Sequence, residues 1–429
     1  MDTVLVWFRN DLRVRDNHSL KNAIASGKRV VGFYCFDPAQ FAETAYGFKK
    51  TGKYRSQFLI ETIADLKLSL DTLNIDLLIH HNETLNSIAS IVGQYNVTEI
   101  YLQCEWTRDE KEVLETVKYK LPDVVFHEKY DQFLFHPSDI PYESSQAIPK
   151  VFTEFRKKCE KEASVIEVIE NNEALGAHNK LKKNDSVVPS LEVLGFKDFK
   201  KDERTAFPFQ GGETAAMERI QSYFWDTKNL AQYKQTRNGL VGQEYSSKFS
   251  AWLALGCVSA RQIYWEVRRF EKEVKKNQDT YWMIFELIWR DYFKYVSLKH
   301  GSKIFQIGGI LDKEYDWGNS KAALEEWING NTKYDFVNAN MIELKETGWM
   351  SNRGRQNVAS FWAKELKQDW RVGAAYFEST LIDYDVHSNW GNWMYQAGVG
   401  NDPRDRKFNI EKQANRYDPN NEYVNLWLE

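Results

Sequence analysis

The chain has 429 residues, a formal net charge of −4, 42% hydrophobic and 28% charged residues, and only 9 Pro and 23 Gly. At roughly 100 to 200 residues per domain this implies two to three domains with sizeable cores, and excludes a peptide ligand, a lone small module and a largely disordered chain. No apolar run reaches the roughly 20 residues of a membrane span, and the N-terminal MDTVLVWFRNDLR carries charges where a signal peptide needs apolar residues, so a cytoplasmic enzyme is expected.

In chain order, the first 130 residues alternate short β-branched or aromatic runs with amphipathic ones, the pattern of a doubly wound parallel α/β sheet. Strands are predicted at Val4–Phe8, Val30–Phe36, Leu77–His80, Ile100–Gln103 and Val124–His127. Between them Arg55–Leu73 sets Phe58, Ile63, Leu66 and Leu70 on one helical stripe, and Leu85–Tyr95 repeats the device. Neither GxGxxG nor a phosphate-binding loop follows the first strand, so pattern alone names no ligand for this sheet. Residues 131–205 read as a connector with one helix, Val151–Glu162. From residue 206 onward the chain reads as all-α, with helices predicted over Glu213–Asp226, Ser247–Leu255, Ala260–Lys276, Thr280–His300, Lys321–Asn329, Asn338–Thr347, Asn352–Gln368 and Ala374–Leu381. Of the 15 Trp, 13 lie after residue 200, and no Pro occurs between Pro208 and Pro403. The four Cys (Cys35, Cys104, Cys159, Cys257) never form CxxC and read as reduced thiols. Net charge excludes no partner, because nucleic-acid binding follows a local basic face and not the sum.

Four segments carry candidate chemistry. Tyr245-Ser246-Ser247-Lys248-Phe249-Ser250 opens a helical run and reads either as a plain Ser cap or as hydroxyl, amide and ammonium donors around a phosphate. Glu286, Trp289 and Arg290 share one helix face, as an exposed salt bridge or as the lining of a polar cavity. Asn352-Arg353-Gly-Arg355-Gln356-Asn357 at a helix start is either a phosphate or base-edge reader or a capped turn. In Asp383-Tyr-Asp385-Val-His387-Ser-Asn389-Trp390 the carboxylates have three uses: a hard cation, which the lack of further clustered acids disfavours; ion pairs with Arg355 or Arg290; or acceptance of ligand N–H groups. No metal site and no Ser/His/Asp hydrolytic set is indicated, and His387 reads as structural.

Taken together and in this order, WFRNDLRVRDN (7–17), TRNGLVGQEYSSKFSAWLALGCVS (236–259), ELIWRDYF (286–293), NANMIELKETGWMSNRGRQNVASF (338–361) and the block 369–404 resemble the photolyase/cryptochrome flavoproteins, specifically their DASH cryptochrome branch. The resemblance spans nearly the whole chain. It implies an antenna-binding α/β domain (1–130), a connector (131–205) and a helical FAD-binding domain (206–429). By position it implies that Tyr233, Ser246, Ser247, Lys248, Phe249 and Ser250 contact the FAD diphosphate arm. Glu286, Arg290, Asn352, Arg355, Asp383 and Asp385 would surround the rest of FAD, with the Arg355–Asp383 pair over the ring system and Asn389 facing N5. Trp393, Trp370 and Trp317 match an electron-transfer chain to the surface. Glu105, in CEWTRDEKEV, corresponds to a carboxylate on the pterin of a 5,10-methenyltetrahydrofolate antenna.

The activity so implied is blue-light-dependent repair of cyclobutane pyrimidine dimers by electron transfer from excited FADH⁻, which needs neither nucleophile nor general base. Glu286 would hydrogen bond the dimer, Trp289 would stack on it, and Asn352 and Asn389 complete the catalytic set. Arg353, Gln356, Tyr395, Arg404 and Arg406 are the DNA-contact candidates. Gln356 and Tyr395 stand where duplex-repairing members carry Met and Trp, so single-stranded DNA is the expected substrate, acted on by a monomer. The alternative is a blue-light photoreceptor; the chain ends 25 residues after Arg404, without the long tail of signalling members, which favours the enzyme.

Overall fold

The computed structural model describes residues 2–169 and 173–429. The N-terminal part runs β1 (Thr3–Trp7), α1 (His18–Ala25), β2 (Arg29–Cys35), α2 (Lys53–Thr72), β3 (Asp76–His80), α3 (Thr84–Tyr95), β4 (Val97–Gln103), α4 (Arg108–Lys120) and β5 (Val125–Lys129). All pairings are parallel, in the order β3-β2-β1-β4-β5. Side chains alternate along β1: Leu5 and Trp7 join a core closed by α3 and α4, while Val4, Val6 and Phe8 join a second core with α1 and α2. Helices therefore cover both faces, and the winding reverses between β1 and β4, which opens a crevice beyond the carboxyl ends of those two strands. The predicted α2 stripe is the buried one: Phe58, Ile63, Leu66 and Leu70 are all inside.

After α5 (Phe152–Glu162) and an extended connection the chain is helical. It comprises α6 (Glu213–Ile220), α7 (Tyr233–Thr236), α8 (Ser250–Leu255), α9 (Ala260–Glu273), α10 (Gln278–His300), α11 (Lys321–Ile328), α12 (Asp335–Thr347), α13 (Asn352–Ser360), α14 (Trp370–Thr380), α15 (Val386–Ala397), α16 (Ile410–Tyr417) and α17 (Glu422–Leu428). The long α10 begins with a capping box, in which Asn277 Oδ1 accepts from the Thr280 N–H at 2.9 Å and Thr280 Oγ1 accepts from the Asn277 N–H at 3.2 Å.

Several helix predictions change, among them that over Glu213–Asp226, whose second half from Gln221 is a wide π-type segment, and α7, α16 and α17 have no predicted counterpart. The helix expected from Ser247 starts at Ser250, because Lys248 adopts φ +64 and Phe249, not a serine, occupies the cap position. The helix expected over 352–368 ends at Ser360 and continues as a wide π-type turn, Phe361–Glu365. Helix α15 was not anticipated, since its polar and aromatic residues give little aliphatic periodicity.

The two parts dock through α8 and α9. Gly256, at φ +68 after α8, stands where an added Cβ would lie 2.0 Å from the Asn10 carbonyl oxygen, so only glycine permits this approach. Beside it, buried Arg13 and Arg261 both pair with Asp131, at 3.2 and 2.7 Å, and Arg261 also pairs with Asp16 at 2.9 Å.

Candidate functional site

Helices α13, α14 and α15 and the turn before α15 line a cavity that opens to solvent. Asn352, Arg355, Gln356, Asp383, Asp385, Asn389 and Trp393 line it. Its two carboxylates have separate partners. Asp383 receives Arg355 Nη2 at 2.9 Å on both oxygens, and Arg355 Nε is fixed by the Met350 carbonyl at 2.9 Å. Asp385 caps α15 by accepting the Ser388 N–H at 2.8 Å and pairs with buried Lys294 at 3.2 Å. Burial raises the pKa of Asp385, but the nearby Lys294, His387 and Arg290, helped by the capping N–H, prevail and hold it well below the usual carboxylate range. Asn389 is buried and spends its side-chain N–H₂ on the Ala374 carbonyl at 3.0 Å, so an amide oxygen remains for an N–H donor in the cavity. These groups suit a polar, partly anionic ligand with ring N–H and carbonyl edges, and they fit an FAD.

The Ser246–Ser250 loop is held from behind by Arg219, which sequence reasoning missed. Its guanidinium donates to the carbonyls of Ser247 (3.1 Å) and Ser246 (3.2 Å) and pairs with Glu244 at 2.8 Å. Ser247, Lys248 and Phe249 are buried. The Lys248 ammonium lies 3.1 Å over the Tyr245 ring, without a hydrogen-bond partner, and burial pulls its pKa well below that of a free lysine. Tyr233 is buried on α7, its pKa pushed up to about 12 by burial.

On α10, Glu286 pairs with Arg237 at 2.9 Å. Packing around the carboxyl raises its pKa against the pull of Arg237. Arg290 pairs with neither Asp383 nor Asp385; it donates to the Gln132 and Leu253 carbonyls at 2.9 Å each, tying the helical part to the segment after β5. Trp289 is half-buried, with Phe152 stacked on one face at 3.6 Å and 12° and Tyr395 edge-on at 6.1 Å. Arg353 bonds Gln356 Oε1 at 2.9 Å and Asn238 Oδ1 at 3.2 Å. Gln356, Arg353, Asn238, Arg237 and Glu286 thus form a polar path from the cavity lining to the α10 face. Arg404 and Arg406 are exposed on the loop after α15.

Trp393 borders the cavity and lies against Gly373, where an added Cβ would be 2.3 Å from its ring. Gly373 is three residues after Trp370 on α14. Trp370 is fully buried and donates to the Ile307 carbonyl at 3.0 Å. Half-buried Trp317 is held beside the start of α14 by its neighbour Gly318, which exchanges backbone hydrogen bonds with Lys367 (2.7 Å) and Asp369 (3.0 Å).

Glu105 sits at the carboxyl end of β4, in the β1/β4 crevice. It is buried, accepts from Gln103 Nε2 at 2.8 Å and Asn10 Nδ2 at 3.5 Å, and burial raises its pKa. Buried Arg9 Nη1 and Gln103 Oε1, at the ends of the same two strands, have no partner. The next residue, Trp106, stacks on His387 of α15 at 4.6 Å, and both bond Ser297 Oγ, which makes His387 a structural group.

Residues 4–175 match the family model described as DNA photolyase, and residues 282–429 match the FAD binding domain of DNA photolyase. The chain is 46% identical to the cryptochrome DASH of Gloeobacter violaceus over 99% of its own length and 85% of that protein. The crystal structure of the Synechocystis cryptochrome superposes with a TM-score of 0.94 at 46% identity, covering 100% of this chain and 89% of that one. An archaeal photolyase from Sulfolobus tokodaii, solved with two FAD molecules, superposes with a TM-score of 0.79 at 25% identity, covering 100% of this chain and 90% of that one.

Proposed function

Since the chain belongs to the photolyase/cryptochrome family, in its DASH cryptochrome branch, we propose that it is an FAD-dependent, blue-light-driven lyase that splits cyclobutane pyrimidine dimers in single-stranded DNA. The observation that carries this reading is the polar path from the cavity lining through Gln356 and Arg353 to Arg237 and Glu286, which joins a polar cavity to a carboxyl group on an accessible helix face. FAD held by the cavity residues in its reduced form would supply, on absorbing blue light, one-electron chemistry for dimer cleavage.

The chain's own residues bind and orient. Tyr233 and the Ser246–Ser250 loop take the diphosphate arm, with Arg219 fixing the loop carbonyls; Lys248 reaches a phosphate only after leaving its place over Tyr245. Asn352, Arg355, Asp383 and Asp385 hold the ring and ribityl edges, and the Asn389 amide oxygen accepts an N–H at N5. Glu286, held by Arg237 on the accessible face of α10, hydrogen bonds the base edge of the dimer. Trp393, Trp370 and Trp317 relay electrons from outside.

The substrate preference follows from stacking area. Taking a dimer out of a duplex costs a few kcal/mol. One face of Trp289 is already covered by Phe152, and Gln356 and Tyr395 add little flat surface, so that cost is poorly recovered. In a single strand the cost is small. Glu105, Asn10, Gln103 and Arg9 in the β1/β4 crevice offer acceptors and unmatched donors, which supports reading it as the place of a 5,10-methenyltetrahydrofolate antenna; release of chromophore on denaturation distinguishes that from a second flavin.

The test is direct. The purified protein should show flavin absorption and, under blue light, restore thymine absorbance in dimer-containing oligo(dT), faster than in the same duplex. Glu286→Ala should keep the colour and slow repair roughly tenfold or more, the loss of one charge-assisted hydrogen bond of about 1.5–3 kcal/mol. A colourless protein, or one that photoreduces without restoring thymine, defeats the assignment.

A further inference from the structure

The face of α10 that carries Glu286 continues one turn back in a group of aromatic and cationic side chains. Trp282 lies one turn before Glu286, about 6 Å along the axis at 1.5 Å per residue, and is only partly covered. It stacks on half-exposed Phe285, with ring centroids 4.5 Å apart and planes at 24°. Two cations border this pair. Exposed Lys234 places its ammonium 4.4 Å from the Trp282 ring, and the Arg156 guanidinium is 5.5 Å from the Phe285 ring.

The arrangement has a rung-like regularity. Helix α7 and its end supply Lys234 and, three residues on, Arg237; α10 supplies Trp282 and, four residues on, Glu286. Lys234 faces Trp282, and Arg237 pairs with Glu286. The second rung is the one assigned to the dimer, so the first lies one helical turn away on the same surface. A pair of flat rings with cations at the edge is what an unstacked base and its phosphates require: the ring takes the base face and the cations take the backbone. A duplex keeps its bases stacked and paired and cannot use the platform; a single strand can.

Resting on the dimer-repair reading above, we propose that Trp282 and Phe285, with Lys234 and Arg156, form a subsite for the unpaired base adjacent to the dimer on the same strand. The base lies on Trp282, and Lys234 moves from the ring to the flanking phosphate.

Binding in the dark of three probes tests this: a dinucleotide dimer, a single-stranded oligomer with thymidines on both sides of the dimer, and the same oligomer with abasic residues at one or both flanks. The wild type should prefer the flanked oligomer over the doubly abasic one by a factor of about 5 to 150, the usual worth of one base–aromatic stack. The single-abasic probes identify the side. Trp282→Ala should bring that ratio close to one, and Trp282→Phe should keep most of it. Lys234→Gln should lower the slope of log affinity against log salt by about 0.7, the value for one phosphate contact on a single strand. A ratio near one in the wild type, or a ratio unchanged by Trp282→Ala, overturns the subsite. If Trp282→Ala fails to fold, Trp282→Leu takes its place and should likewise bring the ratio close to one, an unchanged ratio overturning the stack, and a salt slope unchanged by Lys234→Gln overturns the phosphate contact. Thymine recovery is scored in parallel. If the wild type repairs nothing, the dimer reading fails, and the platform is judged on undamaged oligo(dT), where loss of Trp282 must still weaken binding by the same factor.

Discussion

Asn389 illustrates how much at the residue scale depends on a partner that sequence does not display. The blocks NRGR and DYD are dense enough in charge to point to a polar site, and Arg355 with Asp383 follows from that density. Lys294 on Asp385, Arg237 on Glu286 and Arg219 behind the serine loop were not legible, because each comes from an element remote in the chain and looks alone like an ordinary surface cation. For Asn389 the hidden partner is the Ala374 carbonyl. Replacing it by Asp sets a buried carboxylate against a carbonyl oxygen, which favours the protonated acid and raises its pKa in the folded protein. The folded state then holds a proton that the unfolded chain releases near pH 4, so the variant loses stability relative to wild type as pH rises above that point. Urea unfolding should show Asn389→Asp weaker by about 1–3 kcal/mol at pH 8 and closer to wild type at pH 5. Equal deficits at both pH values would refute this account of the amide.

At the element scale, the long amphipathic helices were legible from their apolar period, whereas the start of α8, the break after Ser360 and α15 were not. Lys248 in left-handed conformation and the wide turn at Phe361–Glu365 are tertiary compromises, and α15 hides its aromatic core residues among polar ones. Where α14 and α15 meet, Gly373 lets the Trp393 ring rest on backbone. Gly373→Ala should gain about 0.8–1 kcal/mol in helix propensity, yet lose more than this by overpacking, which typically costs 1–3 kcal/mol. The variant should therefore melt lower, and light-driven reduction through Trp393 should slow; a higher melting temperature would contradict the close contact. Helices α12 and α17 meet at Glu343, which is fully buried, accepts from Tyr423 Oη at 2.6 Å and has its pKa raised by burial to about 7. Its folded pKa exceeds the ordinary value of 4.5, so the wild type loses stability as pH climbs from about 4.5 to about 7. Glu343→Gln removes that loss and should be the more stable protein at pH 8, by up to about 3 kcal/mol, with the gap closing near pH 4.5.

For the whole molecule, the skew of Trp and Pro separates a helical half from an α/β half, but nothing local reveals that they share a core. One continuous apolar cluster runs from the inner face of the sheet, Val4, Val6 and Phe8, through α2 to Trp393 and Trp427. Polar groups give this junction its geometry. Arg13, in the loop after β1, pairs with Asp131, which follows β5, and Arg261 on α9 reaches both Asp131 and Asp16, all almost fully buried. Buried ion groups of this kind add little stability as a set, but removing one member strands the others without charge compensation. The two arginines and His18 hold Asp131 well below the ordinary range, against burial, so its contribution is present at neutral pH and is lost only as the solution becomes strongly acidic. Asp131→Asn should thus cost about 3–5 kcal/mol at pH 7 and progressively less below pH 4, where the wild type also begins to lose the charge. Because the same residues set the sheet against α9, the variant should loosen the Trp106–His387 stack between the β4 end and α15 as well. Quenching of Trp106 fluorescence, read by comparison with a Trp106→Phe background, should fall along with stability. A destabilised variant whose stack is unaltered would mean that the apolar core alone orients the two halves.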